Sequence, residues 1–405
     1  MKILVLNCGS SSVKYQLLDM ATERQLAKGS VERIGMDSAQ LTHTKAGAAP
    51  VREVSPILDH TTAVRRVLSI LSHPEHGVIA DVADISAVGH RVVHGGELFS
   101  SSVIITPEVK MTIRELFDLA PLHNPANLLG INAAEAALPG VPQVAVFDTA
   151  FHSAMPRTAF LYALPYVLYK RYKVRRYGFH GMSHRYVSER AAALLGRPSE
   201  DLRIITCHLG NGASVAAVKG GHSIDTSMGF TPLEGLVMGT RSGDLDPAAL
   251  LYIMAKEELG LGEAQAMLNK HSGLQGLSGM SDMREIEQEM WDGNSKAQEA
   301  FEMFCYRVRK YIGAYASAME GVDAIVFTGG IGENSHAVRE EVCKRLGYLG
   351  VDFDAQANSD LPRGKEAEVS RPGSRVRVFV IPTNEELVIA RDTAALVRQA
   401  QPVGD

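Results

Sequence analysis

Residues Arg203 to Val218 read RIITCHLGNGASVAAV, and the rest of the chain is best understood from them. An apolar run, Ile204 to Cys207, leads into His208-Leu209-Gly210-Asn211-Gly212, and a small-residue run, Ala213 to Val218, leads out. That pattern predicts a strand, a tight glycine turn and a returning strand. Gly210 and Gly212 can take positive φ, and they lack the Cβ atoms that would hold a bound group away. Successive backbone N–H groups in such a turn form a nest for phosphate oxygens. The start of the chain echoes this arrangement. Lys2 to Leu18, KILVLNCGSSSVKYQLL, is an apolar run, a turn over Asn7 to Ser12, and a second strand carrying Lys14. Two phosphate-cradling hairpins predict a duplicated fold with a nucleotide clamped between its halves.

Size and composition limit the alternatives. A length of 405 residues exceeds one ordinary core and predicts two domains. Hydrophobic content of 45% and charged content of 21% are those of a soluble globular protein. A net charge of −5 argues against nucleic-acid or membrane-surface binding. Cys8, Cys207, Cys305 and Cys343 form no CxxC pair, which fits a reduced, cytoplasmic protein. The apolar run after Met1-Lys2 ends at Asn7, too early for a signal peptide, and no stretch approaches the ~18 apolar residues of a membrane span.

Along the chain, residues 20–60 read as polar and turn-rich, with one strand near Ser30–Ile34. His60 to Ser72 places Val64, Val67, Leu68 and Leu71 on one helical face. Ile85 to Val93 reads as a buried strand that delivers Arg91 and His94 near its end. Thr106-Pro107 starts a helix, and Pro121 to Pro125 forms a rigid elbow before the next one. Val144 to Phe147 is a short buried strand ending in Asp148. The pattern breaks between Thr149 and Pro165, where the domain boundary is placed. Tyr177 to His184 is a glycine-hinged loop that Ser183 turns into a helix. Asp225 to Pro247 is a long glycine- and proline-rich loop of the kind that carries function. Asp323 to Thr328 and Arg377 to Ile381 are further core strands. Thr383-Asn384-Glu385-Glu386 reads as a capping box for a last helix, folded back on the N-terminal domain. The domains are therefore 1–150 with 384–405, and 151–383. The fold class is α/β, with a mixed sheet flanked by helices in each half.

Several residues stand out chemically. No GxxxxGK[ST] occurs, so a P-loop is excluded. Gly330-Ile331-Gly332 follows a strand and opens a helix, which suits a nucleotide. Arg91 and Arg241 are flanked by glycines and apolar residues with little else to pair a guanidinium, and such forks bind carboxylate or phosphate. His123, His180 and His208 lie in loops after apolar segments and can donate to a transferred phosphoryl group. The four-residue spacing of His180 and His184 lacks the glutamate of a zinc helix. Asn7, Asp148 and Glu385 supply hard oxygen ligands of the kind Mg²⁺ takes, directly or through water.

Together LNCGSSSVKY, GHRVVHGG, PLHNP, FDTAFH, YGFHGMSH, HLGNGAS, DTSMGFTPLEG, GTRSGDLDP, FTGGIGENS and IPTNEE resemble the acetate kinase family, over nearly the whole chain. Segments 36–58 and 354–372 carry none of this resemblance. The resemblance implies the duplicated actin-like (ribonuclease H-like) ATPase fold with the active site in the interdomain cleft, and a homodimer. The implied reaction is transfer of the ATP γ-phosphoryl to acetate, giving ADP and acetyl phosphate, with Mg²⁺ or alternatively Mn²⁺. It implies Asn7 and Glu385 as magnesium-site residues. Ser12, Lys14, His208, Leu209, Gly210, Asn211 and Gly212 are implied as phosphate contacts. Asp282, Met283, Arg284, Gly330, Ile331, Gly332, Glu333 and Asn334 are implied on the adenosine side. Arg91 is implied at the substrate carboxylate, His180 and Arg241 at the transition state with His123 assisting, and Asp148 in an acid/base role. Val93, Leu122, Phe179 and Pro232 are implied as the methyl pocket. Acetate is already ionised at pH 7, so orienting Mg²⁺-bound water or Arg91 suits Asp148 better than proton abstraction. A propionate or butyrate kinase is the nearest alternative. An ATP-switched binding module is the alternative from another class, and it has no need of Arg91, Arg241 and His180.

Overall fold

β1 (Lys2–Gly9) and β2 (Ser12–Asp19) form an antiparallel hairpin with Gly9 opposite Ser12. This computed structural model describes residues 1–400. The turn is Ser10-Ser11 alone. Asn7 and Cys8, expected in the turn, are strand residues, and Asn7 stands opposite Lys14. Alternation is the cause: Leu4, Leu6 and Cys8 are buried on one face and carry the ladder to its tip.

The chain divides into two compact units, Met1–Ala150 with the segment from Asn384 onward, and Phe151–Thr383. Residues 401–405 of the C-terminal segment lie outside the described residues. In the first unit the hairpin continues as an antiparallel meander through β3 (Arg24–Glu32), β4 (Gln40–Lys45) and β5 (Val51–Val54). The last two fall in the stretch read as polar and turn-rich. β5 is the sheet edge and β4 lies next to it; both are short and half-exposed along much of their length, so their apolar signal is weak. On the other side are β6 (Ile85–Val92), β7 (Val103–Ile104) and β8 (Gln143–Phe147). β6 runs parallel to β1, β8 parallel to β6, and β7 closes the edge antiparallel to β8. One sheet face packs on the helices His60–Leu71 and Asn124–Ala137 through Leu4, Leu6, Val64, Val67 and Leu71. The helix Glu385–Ala400 packs on β1, β6 and β8, where a Cβ at Gly89 would come within 2.5 Å of Thr393 Oγ1. Glycine is needed there so that helix and strand can meet.

The second unit repeats the pattern. β9 (Arg203–Leu209), β10 (Ala213–Lys219) and β11 (His222–Thr226) form the antiparallel meander. β12 (Ala324–Thr328), β13 (Ala367–Glu368) and β14 (Arg377–Val380) follow, with β12 parallel to β9, β14 parallel to β12, and β13 at the edge. The orders β3-β2-β1-β6-β8 and β11-β10-β9-β12-β14 therefore match in sequence and in sense. This is the ribonuclease H-like arrangement, present twice. One face is covered by the helix Gly181–Leu195 through Val187 and Ala191, the other by the helix Ser295–Ala318.

Two local expectations need correction. Ser183 lies inside the helix, and the residue before its first turn is His180, left-handed at φ 57°. At the last helix Leu387 N bonds to Asn384 Oδ1 at 3.1 Å, so the cap is Asn384 and no box with Thr383 forms. Thr106 caps its helix as expected, and Asp246 caps the helix Pro247–Lys256.

Candidate active site

In the first unit, parallel pairing of β6 with β8 brings Arg91 beside Asp148. Arg91 Nε bonds to Asp148 Oδ1 at 3.1 Å, and Nη2 to Oδ2 at 2.5 Å. Arg91 thus has a bidentate partner, contrary to its sequence surroundings, because the carboxylate comes from the neighbouring strand. Burial works against its charge, but Asp148 and Glu385 outweigh that and hold the guanidinium firmly protonated. Glu385 begins the last helix. Burial, then the Asp148 and Glu386 carboxylates, push its carboxyl up to about 7 against the pull of Arg91 and Lys14. Lys14 itself is exposed, while Asn7 and Ser12 are half-buried.

The strand end beyond Arg91 is pinned by two buried asparagines. Val93 N donates to Asn127 Oδ1 at 3.0 Å, and Asn127 Nδ2 donates to Cys8 O at 2.8 Å. His94 N donates to Asn124 Oδ1, and Asn124 Nδ2 returns a bond to His94 O. Asn124 and Asn127 were absent from the sequence-based site. Their signal is a pair of amides inside the apolar helix that follows the proline elbow. Val93 is 7% exposed, whereas Leu122 is 77% exposed, so Leu122 covers no apolar wall in its own unit. His123 is exposed at the residue preceding the helix.

In the second unit the hairpin of β9 and β10 sits against a histidine cluster. Neither Gly210 nor Gly212 takes positive φ. Their contribution is space. A Cβ at Gly212 would lie 3.5 Å from Arg241 Nη2 and 3.6 Å from His180 Nε2. The rings of His180 and His208 stack at 4.2 Å. His180 Nδ1 faces Ser214 Oγ at 2.9 Å, and His208 Nδ1 faces Ser183 Oγ at 2.7 Å. Burial, with His152 and His208 nearby, holds the fully buried His184 ring well below its ordinary range and uncharged. Arg241 donates to the Pro232 carbonyl at 2.8 Å and has no carboxylate in ion-pair range among the described residues. Burial alone pulls its pKa down. Phe179 is buried, and Pro232 is half-buried.

A cavity of about 550 Å³ opens beside this hairpin. Gly210 and Asn211 line it from the turn, Asp282, Met283 and Arg284 from one helix start, and Gly330, Ile331 and Asn334 from another. Ser281, Glu287, Ser335 and Arg363 join them without a signal in the sequence reading. His208, Leu209, Gly212, Gly332 and Glu333 do not line it. Glu333 turns its carboxylate to Gly329 N at 2.9 Å and Thr383 N at 3.2 Å, so its side chain is a backbone clamp. Buried Arg339 bonds to the carbonyls of Gly332 and Glu333 and fixes the short helix Gly329–Asn334. Among the described residues no three His, Cys, Asp or Glu side chains converge as a ready metal cage, and no helix is long and apolar enough to cross a membrane.

Residues 2–391 match the family model described as the Acetokinase family. The chain belongs to the acetokinase family. Acetate kinase of Symbiobacterium thermophilum is 66% identical over 399 residues, covering 98% of this chain and 100% of that protein. The crystal structure of Porphyromonas gingivalis acetate kinase superposes with a TM-score of 0.95 at 51% identity, over 98% of this chain and 99% of that one. A propionate kinase from Francisella tularensis superposes at 0.90 with 43% identity, over the same shares. Among acetokinases, then, this chain has both kinds of short-chain acid kinase as structural relatives, and it belongs to an enzyme family of phosphotransferases that act on carboxyl groups.

Proposed function

We propose that this chain is an acetate kinase, transferring the γ-phosphoryl of ATP reversibly to acetate by direct in-line displacement. The observation that carries this reading is Arg241. It is a half-buried guanidinium with no carboxylate partner among the described residues, set beside His180 where the hairpin lacks a Cβ. A half-buried cation with no carboxylate beside it, next to a backbone turn, is a place for an anion. Acetate and phosphate both carry negative charge, so the work of the site is to align them and neutralise the transferring group. In this reading Arg91, oriented by Asp148, takes the acetate carboxylate, and Val93 meets the methyl group. Arg241 and His180 stabilise the phosphoryl group, with His123 assisting. The cavity at Asn211, Arg284 and Ile331 takes the adenosine. Met1–Ala150 with the last helix is the acetate and metal side, and residues 151–383 are the nucleotide side.

Mg²⁺ fits the donor set. Asp148, Glu385 and Glu386 outnumber Arg91 and Lys14; burial first, and then the two neighbouring carboxylates, raise Glu385, and a divalent ion would favour its charged form. Mg²⁺ needs only one or two carboxylates when phosphates and waters complete its shell. Asn7 and Glu385 would hold it, directly or through water, and it would neutralise charge on the phosphates. Mn²⁺ would serve in its place. Four buried free cysteines support a cytoplasmic location.

A coupled assay of ADP formation with acetate, propionate and butyrate tests the proposal. The expected outcome is highest kcat/KM with acetate. No acid-dependent turnover would end the reading. The propionate kinase relative keeps propionate as the second reading, and the same assay decides it.

A further inference from the structure

His180, half-buried, is joined to a buried chain of hydroxyls and an imidazole. Its Nδ1 lies 2.9 Å from Ser214 Oγ. That oxygen lies 2.7 Å from His184 Nε2, and His184 Nδ1 lies 2.7 Å from Thr206 Oγ1. Thr206, His184 and Ser214 are 0% exposed, so bulk water does not reach them. Each hydroxyl has one proton, and a neutral imidazole has one N–H. Ser214 Oγ could accept from both rings, but its own fully buried proton would then have no acceptor among the described residues, so the three bonds run in one direction.

Two directions exist. In the first, Thr206 donates to His184 Nδ1, His184 Nε2–H donates to Ser214 Oγ, and Ser214 donates to His180 Nδ1. The proton of His180 is then on Nε2. In the second, His180 Nδ1–H donates to Ser214, Ser214 to His184 Nε2, and His184 Nδ1–H to Thr206. The hydroxyl proton of Thr206 is then left with no acceptor among the described residues, at a fully buried position. Such an orphaned donor costs about 1–3 kcal/mol, which selects the first direction.

We propose that this relay holds His180 as a neutral ring with its proton on Nε2, so that it meets the phosphoryl group as a hydrogen-bond donor and not as a cation. Thr206, His184 and Ser214 are then positioning residues. Nε2 is the nitrogen 3.6 Å from the place of the missing Gly212 Cβ, at the edge of the hairpin turn. The mechanistic half of the inference rests on the phosphoryl role given to His180 above. The tautomer itself does not.

The test is a long-range ¹H–¹⁵N correlation spectrum of the full chain labelled at histidine, near neutral pH, with the His180 signals identified by their loss in His180→Asn. The expected spectrum has an unprotonated Nδ1 and a protonated Nε2. Thr206→Val removes the donor that sets the direction. It should shift His180 toward the Nδ1–H or doubly protonated form and lower kcat about tenfold, with both KM values within about twofold. Wild-type His180 protonated on Nδ1 would overturn the proposal, as would an unchanged Thr206→Val spectrum. If that variant does not fold, Ser214→Ala takes its place, and an unmoved Nδ1 signal overturns the proposal equally. The spectra need no substrate, so absence of acetate turnover registers as a separate result.

Discussion

At the scale of single residues, Arg241 and Val93 make the sharpest claims. Arg241→Ala removes the cation that faces no carboxylate, and kcat should fall by about 10³–10⁵ while the thermal midpoint stays put. Turnover near that of the wild type would take Arg241 out of the reaction. Val93→Ala enlarges the wall where a methyl group would lie. The kcat/KM ratio of propionate to acetate should rise by the ~1–3 kcal/mol that a methylene is worth in an apolar pocket. An unchanged ratio would show that Val93 does not border the acid. Which residues stand out from sequence and which do not follows from distance. Arg91, His180 and Arg241 are visible because glycines and apolar neighbours surround them locally. The Arg91–Asp148 pair spans 57 positions and forms only when two parallel strands register. Asn127 is hidden because its partners, Cys8 and Val93, come from two other elements.

At the scale of elements, the hairpins, the Thr106 and Asp246 caps and the buried strand Ile85–Val92 are legible because each is decided by its own residues. β4 and β5 are not, because pairing with a neighbour makes them strands when their own apolar signal is weak. Asn127 belongs to this scale in its consequences, since it ties the helix Asn124–Ala137 to both β1 and the end of β6. Asn127→Leu leaves Val93 N and Cys8 O without their amide. The loss should be about 1–3 kcal/mol for each orphaned group, read as a lower midpoint in urea. A midpoint equal to that of the wild type would mean that the backbone groups find other partners.

For the whole molecule, two properties follow. Burial holds His90 and His152 down to about 4, and holds His184 well below its ordinary value. In the unfolded chain these rings take protons near 6.5. Below that value the unfolded state binds protons that the folded state refuses, so stability falls as pH drops toward 4. Glu385 holds its proton to about 7 and acts in the opposite sense, but three rings outnumber it. Thermal midpoints should therefore decline from pH 7.5 to 5, and a flat profile would show that the rings protonate in place. The second property is assembly. The helices Pro247–Lys256 and Tyr166–Tyr172 bury no residue, yet they carry Leu251 at 66%, Tyr252 at 64% and Val167 at 60% exposure. Such apolar faces suit a homodimer, which the family resemblance implies and which we propose. Leu251→Asp should give a monomer by light scattering, and a monomeric wild type would remove the proposal.

The placement of the helix Glu385–Ala400 on β1 and β6 also has a consequence for biosynthesis. Strands β1 and β6 are covered by a helix that emerges only after residues 151–383 have been made. On the ribosome that sheet waits, one face bare, until residues Glu385–Ala400 emerge behind the whole of the second unit. A permuted gene that begins at Asn384 and runs through a linker into Met1 would remove that delay.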